Sequence, residues 1–126
     1  MIYGVGTDII EIPRIAAALE RFGDKFARRI LCEPELRRFA THRLPAAFLA
    51  KRFAAKEAFT KALGTGIHAP ANWHGVWVAN LRSGKPTLQF TEALQAMLDA
   101  RGVAHAHVSL TDERGLASAT VILETQ

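Results

Sequence analysis

The chain has a single cysteine, Cys32, among 126 residues. That excludes an intramolecular disulfide framework and fits a reducing compartment. No apolar stretch approaches the ~20 residues that a bilayer-spanning helix requires. Met1–Gly6 has neither the basic start nor the small-residue cleavage site of a secretory signal. No linker, low-complexity tract or internal repeat breaks the sequence. These absences lead us to expect one cytoplasmic domain, residues 1–126, that does not enter a membrane. A chain of this length buries roughly two-thirds of its unfolded surface, so its core needs no metal or disulfide to hold it.

What is present is a hydrophobic half (49%) and a basic excess, sixteen Lys and Arg against twelve Asp and Glu, for a formal charge of +4. Such a balance suits an acidic partner: a nucleic acid, an anionic protein, a phosphorylated small molecule or a membrane surface. The placement of the charges has to choose among them.

Hydrophobic periodicity orders the elements. Residues 2–10 read as a strand with glycines at 4 and 6. Pro13 then opens a helix whose apolar stripe is Ile12, Ile15, Leu19, Phe22, Phe26 and Ile30, with Gly23 placed to bend or divide it. A second helix starts near Pro34. The longest runs from Pro45 to Gly64, with Ala46, Leu49, Ala50 and Phe53 as its stripe. A loop over 65–74, strands at 75–80 and 87–90, and a helix capped by Thr91 follow. Strands at 105–111 and 116–123 close the chain through a turn at Asp112–Gly115. Adjoining antiparallel strands with helices gathered between them predict an α+β fold.

Two carboxylates stand where apolar residues belong. Asp8 lies within the first strand, and Glu57 lies one turn beyond Phe53 on the inward column of the long helix. An ionised carboxylate at a core edge is costly unless it is paired or binds a cation. Either Glu57 pairs with Lys61 and Asp8 ends its strand facing solvent, or the two converge on a hard cation such as Mg²⁺. Glu11 can join them only if the strand ends early. Arg52, Lys56 and Lys61 bracket Glu57, and Gly64-Thr65-Gly66 follows, so the segment reads as a phosphate cradle or as a solvated helix face with a cap. It is not a P-loop, whose lysine precedes its helix. Arg14, Arg21, Lys25 and Arg28 form a basic row opposite the apolar stripe: a solvated face, or a dock for an acidic partner helix. His105 and His107 alternate with Ser109 and Thr111 as a polar sheet face. Cys32 reads as a packed thiol, and Trp73 and Trp77 as core or interface. A basic nucleic-acid-binding domain without catalysis accounts for the charge and the helix row but leaves Asp8 and Glu57 without a reason.

With those residues in view, the chain resembles the holo-[acyl-carrier-protein] synthases, small bacterial 4′-phosphopantetheinyl transferases. Gly6-Thr7-Asp8-Ile9-Ile10-Glu11 is similar to the family's amino-terminal motif, and Arg52 through Gly66 to its central signature. The Gly84-Lys85-Pro86 turn and the strand His107-Val108-Ser109-Leu110 fall where the family has them. The resemblance implies transfer of 4′-phosphopantetheine from coenzyme A to a serine of apo-acyl carrier protein. It implies Mg²⁺ on Asp8 and Glu57, and catalysis by Glu57 and Lys61. Coenzyme A contacts would come from Arg52, Lys56, Lys61, Gly64, Thr65, Gly66, Gly84, Lys85 and Pro86. The carrier protein would dock on Arg14, Arg21, Lys25 and Arg28, and the assembly would be a homotrimer with sites between subunits. No nucleic acid and no membrane is implied as a partner. One departure is Asp112, where many relatives carry a histidine associated with phosphate binding. An anion cannot make that contact, and His107 is the substitute the sequence offers.

Overall fold

The computed structural model describes residues 1–126 and orders them as β1 (Ile2–Glu11), α1 (Ile12–Phe22), α2 (Asp24–Ile30), α3 (Glu33–Thr41), α4 (Pro45–Leu63), β2 (Val76–Asn80), β3 (Pro86–Phe90), α5 (Glu92–Ala100), β4 (Val103–Glu113) and β5 (Leu116–Thr125). The α+β architecture and its antiparallel strands are as expected. β1, β5 and β4 form one antiparallel sheet in that order, with β5 in the middle, and β2 and β3 form a separate hairpin. No helix is long and apolar enough to cross a membrane.

α4 is the hub. Pro45 stands in its first turn, and Gly64 ends it in the left-handed conformation (φ 85°) that a side chain disfavours. The sequence marked a single buried stripe, yet Phe48, Leu49, Ala50, Ala54, Ala55, Ala58, Phe59, Ala62 and Leu63 are all buried, while Ala46 and Phe53 are only half-buried. The reason is that α4 is covered by the sheet on one side and by α1–α3 and the hairpin on the others. Its alanines let the sheet come close. At Gly6 a Cβ would run into the carbonyl oxygen of Ala58, and at Gly4 into that of Ala62. The two strand glycines are therefore what allows β1 to lie directly on α4.

The first helical stretch divides at Gly23 (φ 64°). The division turns Phe22 off the apolar stripe and leaves it 55% exposed, while Ile15, Ala27 and Ile30 stay inside. The last two strands run further than the sequence suggested. They meet at Arg114 (φ 50°) and Gly115 (φ 81°), a two-residue reversal whose positive φ values match the twist of the flanking strands. Asp112 consequently lies in β4 opposite Ala117, not in the turn.

Candidate active site

β1 continues through Asp8 to Glu11, so alternation decides which carboxylates reach α4. Asp8 shares the inner face with Gly4, Gly6 and Ile10, and its side chain keeps only 16% of its surface exposed. Glu11 falls on the outer face and is exposed, which removes it from the group. Lys61 reaches from the last turn of α4 to Asp8 Oδ1 at 3.1 Å and to the Thr7 carbonyl at 3.0 Å. The simple i,i+4 pairing of Glu57 with Lys61 is thus replaced by a bridge between helix and strand. Glu57 is left half-buried, its carboxylate without a hydrogen-bond or ion-pair partner in the chain, although its backbone carbonyl accepts from Thr60 Oγ1 at 3.0 Å. Desolvation pushes its carboxyl pKa up, the Asp8 charge adds to the rise, and Lys61 opposes it in part.

Two like-charged carboxylates on facing elements, one lacking a partner, form an oxygen-only donor set. No group of three or more His, Cys, Asp or Glu side chains gathers to complete a site richer in ligands. A pair of carboxylates fits Mg²⁺, which favours few protein ligands and hard oxygens and completes its shell with water and phosphate oxygens.

The other cations do not surround Glu57. Arg52 and Lys56 are one turn apart on a different column of α4. Arg52 stands about 140° around the axis and about 7.5 Å along it from Glu57. Lys56 is wholly buried. Its ammonium donates to Glu35 Oε1 (2.8 Å), the Ile30 carbonyl (2.6 Å) and the Trp73 carbonyl (2.6 Å). With all three protons engaged, Lys56 has none free for a phosphate in this arrangement, and the geometry lends the expected substrate contact no support. Arg52 is 4% exposed and lies over the Phe48 ring at 4.1 Å. It donates from Nη2 to Asn80 Oδ1 at 3.0 Å, an oxygen that also accepts from Arg38, and its Nε has no partner. Burial pulls its pKa down to about 10, with Glu35 opposing and Arg38 adding to the fall. Two guanidiniums around one amide oxygen, with an orphaned N–H, leave capacity for an anion.

Asn80 also ties that cluster to the β2–β3 turn, because its Nδ2 donates to the Gly84 carbonyl at 2.9 Å. Gly84, Lys85 and Pro86 therefore stand near Arg52, while Gly64, Thr65 and Gly66 follow Lys61 at the other end of α4. Thr65 Oγ1 donates to the Gly66 carbonyl at 2.8 Å. The basic row is exposed but not continuous: Arg14 and Arg21 lie on α1, Lys25 and Arg28 on α2. Arg21 sits 5.1 Å from the exposed Phe22 ring.

Asp112 pairs with Lys51 of α4 at 3.1 Å. His107 faces the opposite side of the sheet, where its Nε2 meets Glu124 Oε1 at 2.5 Å, so within one chain it cannot stand in for the missing histidine. Cys32 is half-buried with its thiol toward backbone carbonyls, 3.5 Å from that of His74, and desolvation raises its pKa. It is a packed thiol and not a nucleophile. Glu35, Arg38 and Asn80 are the polar members that sequence reasoning passed over. Glu35 alone carried a signal, since it stands three residues after the helix-capping position, where a glutamate returns to the backbone N–H; Glu35 Oε1 does so with Cys32 N at 2.9 Å.

Residues 4–119 match the family model described as the 4′-phosphopantetheinyl transferase superfamily. The holo-[acyl-carrier-protein] synthase of Azoarcus sp. is 52% identical over 126 residues, all of both chains. That of Erwinia tasmaniensis is 52% identical over 124 residues, 98% of each. Among solved structures, the holo-[acyl-carrier-protein] synthase of Neisseria meningitidis superposes with a TM-score of 0.96 at 41% identity, covering 99% of this chain and 100% of its own. The Bacillus anthracis enzyme, solved in complex with coenzyme A (3′,5′-ADP), gives 0.83 at 37% identity, covering 100% and 99%.

Proposed function

The chain belongs to the 4′-phosphopantetheinyl transferase superfamily, and from that premise we propose how its residues divide the work. The reaction transfers the 4′-phosphopantetheine group of coenzyme A to a serine of apo-acyl carrier protein. The serine oxygen bonds to the phosphorus on the pantetheine side, the P–O bond to the other phosphate breaks, and adenosine 3′,5′-bisphosphate leaves with holo-acyl carrier protein as the other product. The relatives lend no support to a nucleic-acid-binding domain.

The observation that carries the site is the partnerless Glu57 carboxylate beside Asp8 and Lys61. Asp8 and Glu57 would hold Mg²⁺, whose charge, when bound, offsets that of the pyrophosphate. Lys61 brings a second positive charge to the same place, where negative charge builds on the leaving bisphosphate. The serine proton needs an acceptor. Lys56 is fully engaged and Glu11 faces outward, which leaves Glu57 or a water that it orients. Arg52 and its neighbour Arg38 supply positive charge for coenzyme A near the Gly84–Pro86 turn. Arg14, Arg21, Lys25 and Arg28 would dock the acidic face of the carrier protein, with Phe22 as an apolar contact among them.

The carboxylate pair and the Arg52 cluster lie on different columns of α4, which favours sites completed between subunits. The outer face of the sheet leaves Val5 54% and Ile9 64% exposed, an apolar patch suited to a second copy. A homotrimer is the assembly we propose, and light scattering should give three times the chain mass. A lone free thiol and a coenzyme A substrate suit the cytoplasm.

Mass spectrometry of an apo-acyl carrier protein incubated with this protein, coenzyme A and Mg²⁺ tests the whole reading. A gain of one phosphopantetheine, abolished by EDTA, is expected. Turnover that survives EDTA would reject the metal assignment. The two binding surfaces should separate kinetically. Arg14→Ala with Arg21→Ala raises the carrier KM about tenfold, with reduced salt dependence, and leaves the coenzyme A KM near its starting value. Arg52→Gln does the reverse. A carrier KM unmoved by the double variant would remove α1 from the docking surface.

A further inference from the structure

Glu35 and Lys56 form an ion pair with both side chains fully buried, touching neither carboxylate of the candidate metal site. The acceptors of the Lys56 ammonium belong to three segments: the end of α2 through Ile30, the first turn of α3 through Glu35, and the loop before β2 through Trp73. Glu35 is clamped in turn, with Oε1 also accepting from Cys32 N at 2.9 Å and Oε2 from Val78 N at 3.0 Å. A buried ion pair is weak evidence for stability, since apolar residues of similar volume often do as well. Its worth lies in what it fixes in place.

We propose that the Glu35–Lys56 pair is a positioning device that sets the rotation of α4 about its own axis, and with it the placement of the Glu57 carboxylate against Asp8. The proposal rests on the reading of Asp8 and Glu57 as metal ligands. Lys56 immediately precedes Glu57 and points to the side of α4 away from β1. On the β1 side the helix is fixed by its close approach to Gly4 and Gly6. The helix is thus gripped from two sides, and Glu57 projects between the grips. A carboxylate roughly 6 Å from a helix axis moves about 1 Å for each 10° of rotation. A displacement of about 1 Å in a catalytic constellation can cost on the order of a hundredfold in rate. Glu35 and Lys56 act through Glu57 and are positioning residues.

The test is the paired variant Glu35→Gln/Lys56→Met, which removes both charges with little change of volume and leaves no lone buried ion. Mn²⁺ binding is followed by electron paramagnetic resonance of the free ion, beside kcat and both KM values. With the fold intact by circular dichroism, we expect Mn²⁺ Kd to rise about tenfold and kcat to fall at least about tenfold, with carrier KM within about twofold. Wild-type Mn²⁺ binding and kcat in the folded paired variant would overturn the proposal. If that variant does not fold, Glu35→Asp keeps the charge but shortens the reach. A Mn²⁺ Kd raised about threefold or more then supports the device, and an unchanged one overturns it. Glu57→Gln is measured alongside. Should it lose Mn²⁺ while the paired variant keeps it, positioning alone fails; should Glu57→Gln keep Mn²⁺, the metal reading fails.

Discussion

Asp8→Asn or Glu57→Gln should lower kcat by about a thousandfold or more while the protein stays folded. Each substitution keeps the size and shape of the side chain and removes one of the two anions proposed to hold the metal. A bound divalent ion supplies several kcal/mol of transition-state stabilisation, and about 4 kcal/mol corresponds to a thousandfold in rate. The stability cost should be small, because the Lys61–Asp8 bridge has an exposed lysine and such pairs contribute about 1 kcal/mol or less. For Glu57 the sign is the opposite. Its carboxyl pKa is raised by burial and by Asp8, so ionising it weakens the metal-free fold. Wild-type protein without metal should therefore lose stability relative to Glu57→Gln as pH rises through the Glu57 titration, and the difference should vanish below the pKa of an unfolded glutamate. Turnover by mass spectrometry and melting with and without Mg²⁺ check both halves. Near-normal turnover in either variant would end the assignment of Asp8 and Glu57.

Gly6→Ala should destabilise the fold by about 3 kcal/mol or more, because the new methyl meets a backbone carbonyl, that of Ala58, which cannot rotate away as a side chain would. For a chain of this size that corresponds to a fall in Tm of roughly 10 °C. Asp8 lies two residues further along the same strand, so kcat should drop as well, since pushing β1 off α4 separates the two carboxylates. Gly4→Ala meets the Ala62 carbonyl and should behave alike. Thermal denaturation by circular dichroism decides the matter, and a Gly6→Ala protein as stable as wild type would mean that the strand does not ride on the helix as described.

Much of this was legible in the sequence because it was local. Pro45 and Gly64 bound α4, Thr91 caps α5 by accepting from Leu94 N, and Asp8 and Glu57 stood out as carboxylates on apolar faces. What escaped depends on residues far apart. Lys56 reads as a solvated cation until Glu35, twenty-one positions earlier, is seen enclosed with it. Arg52 looked like part of a ring about Glu57, but a helix places residues five apart on different sides, and the ring opens into two clusters. Phe22 reads as core only if the stripe runs straight through Gly23, where the chain changes direction. The Lys61–Asp8 bridge joins positions fifty-three apart, a distance over which periodicity says nothing.

The place of β5 has a consequence for biosynthesis. β1 and β4 do not pair with each other; within the sheet each is hydrogen-bonded to β5 alone. Residues 2–11 therefore have no strand partner until residues 116–125 have been made, and a translating ribosome carries over a hundred residues of chain before the main sheet can close. Pairing across such a separation is slow, and strands that wait for it are open to other chains. Until β5 arrives, the part of α4 that β5 covers is bare, and β1 has only the helix to lie on. A nascent chain stalled anywhere short of that point is a client for chaperones and proteases, and it has no partial enzyme to offer.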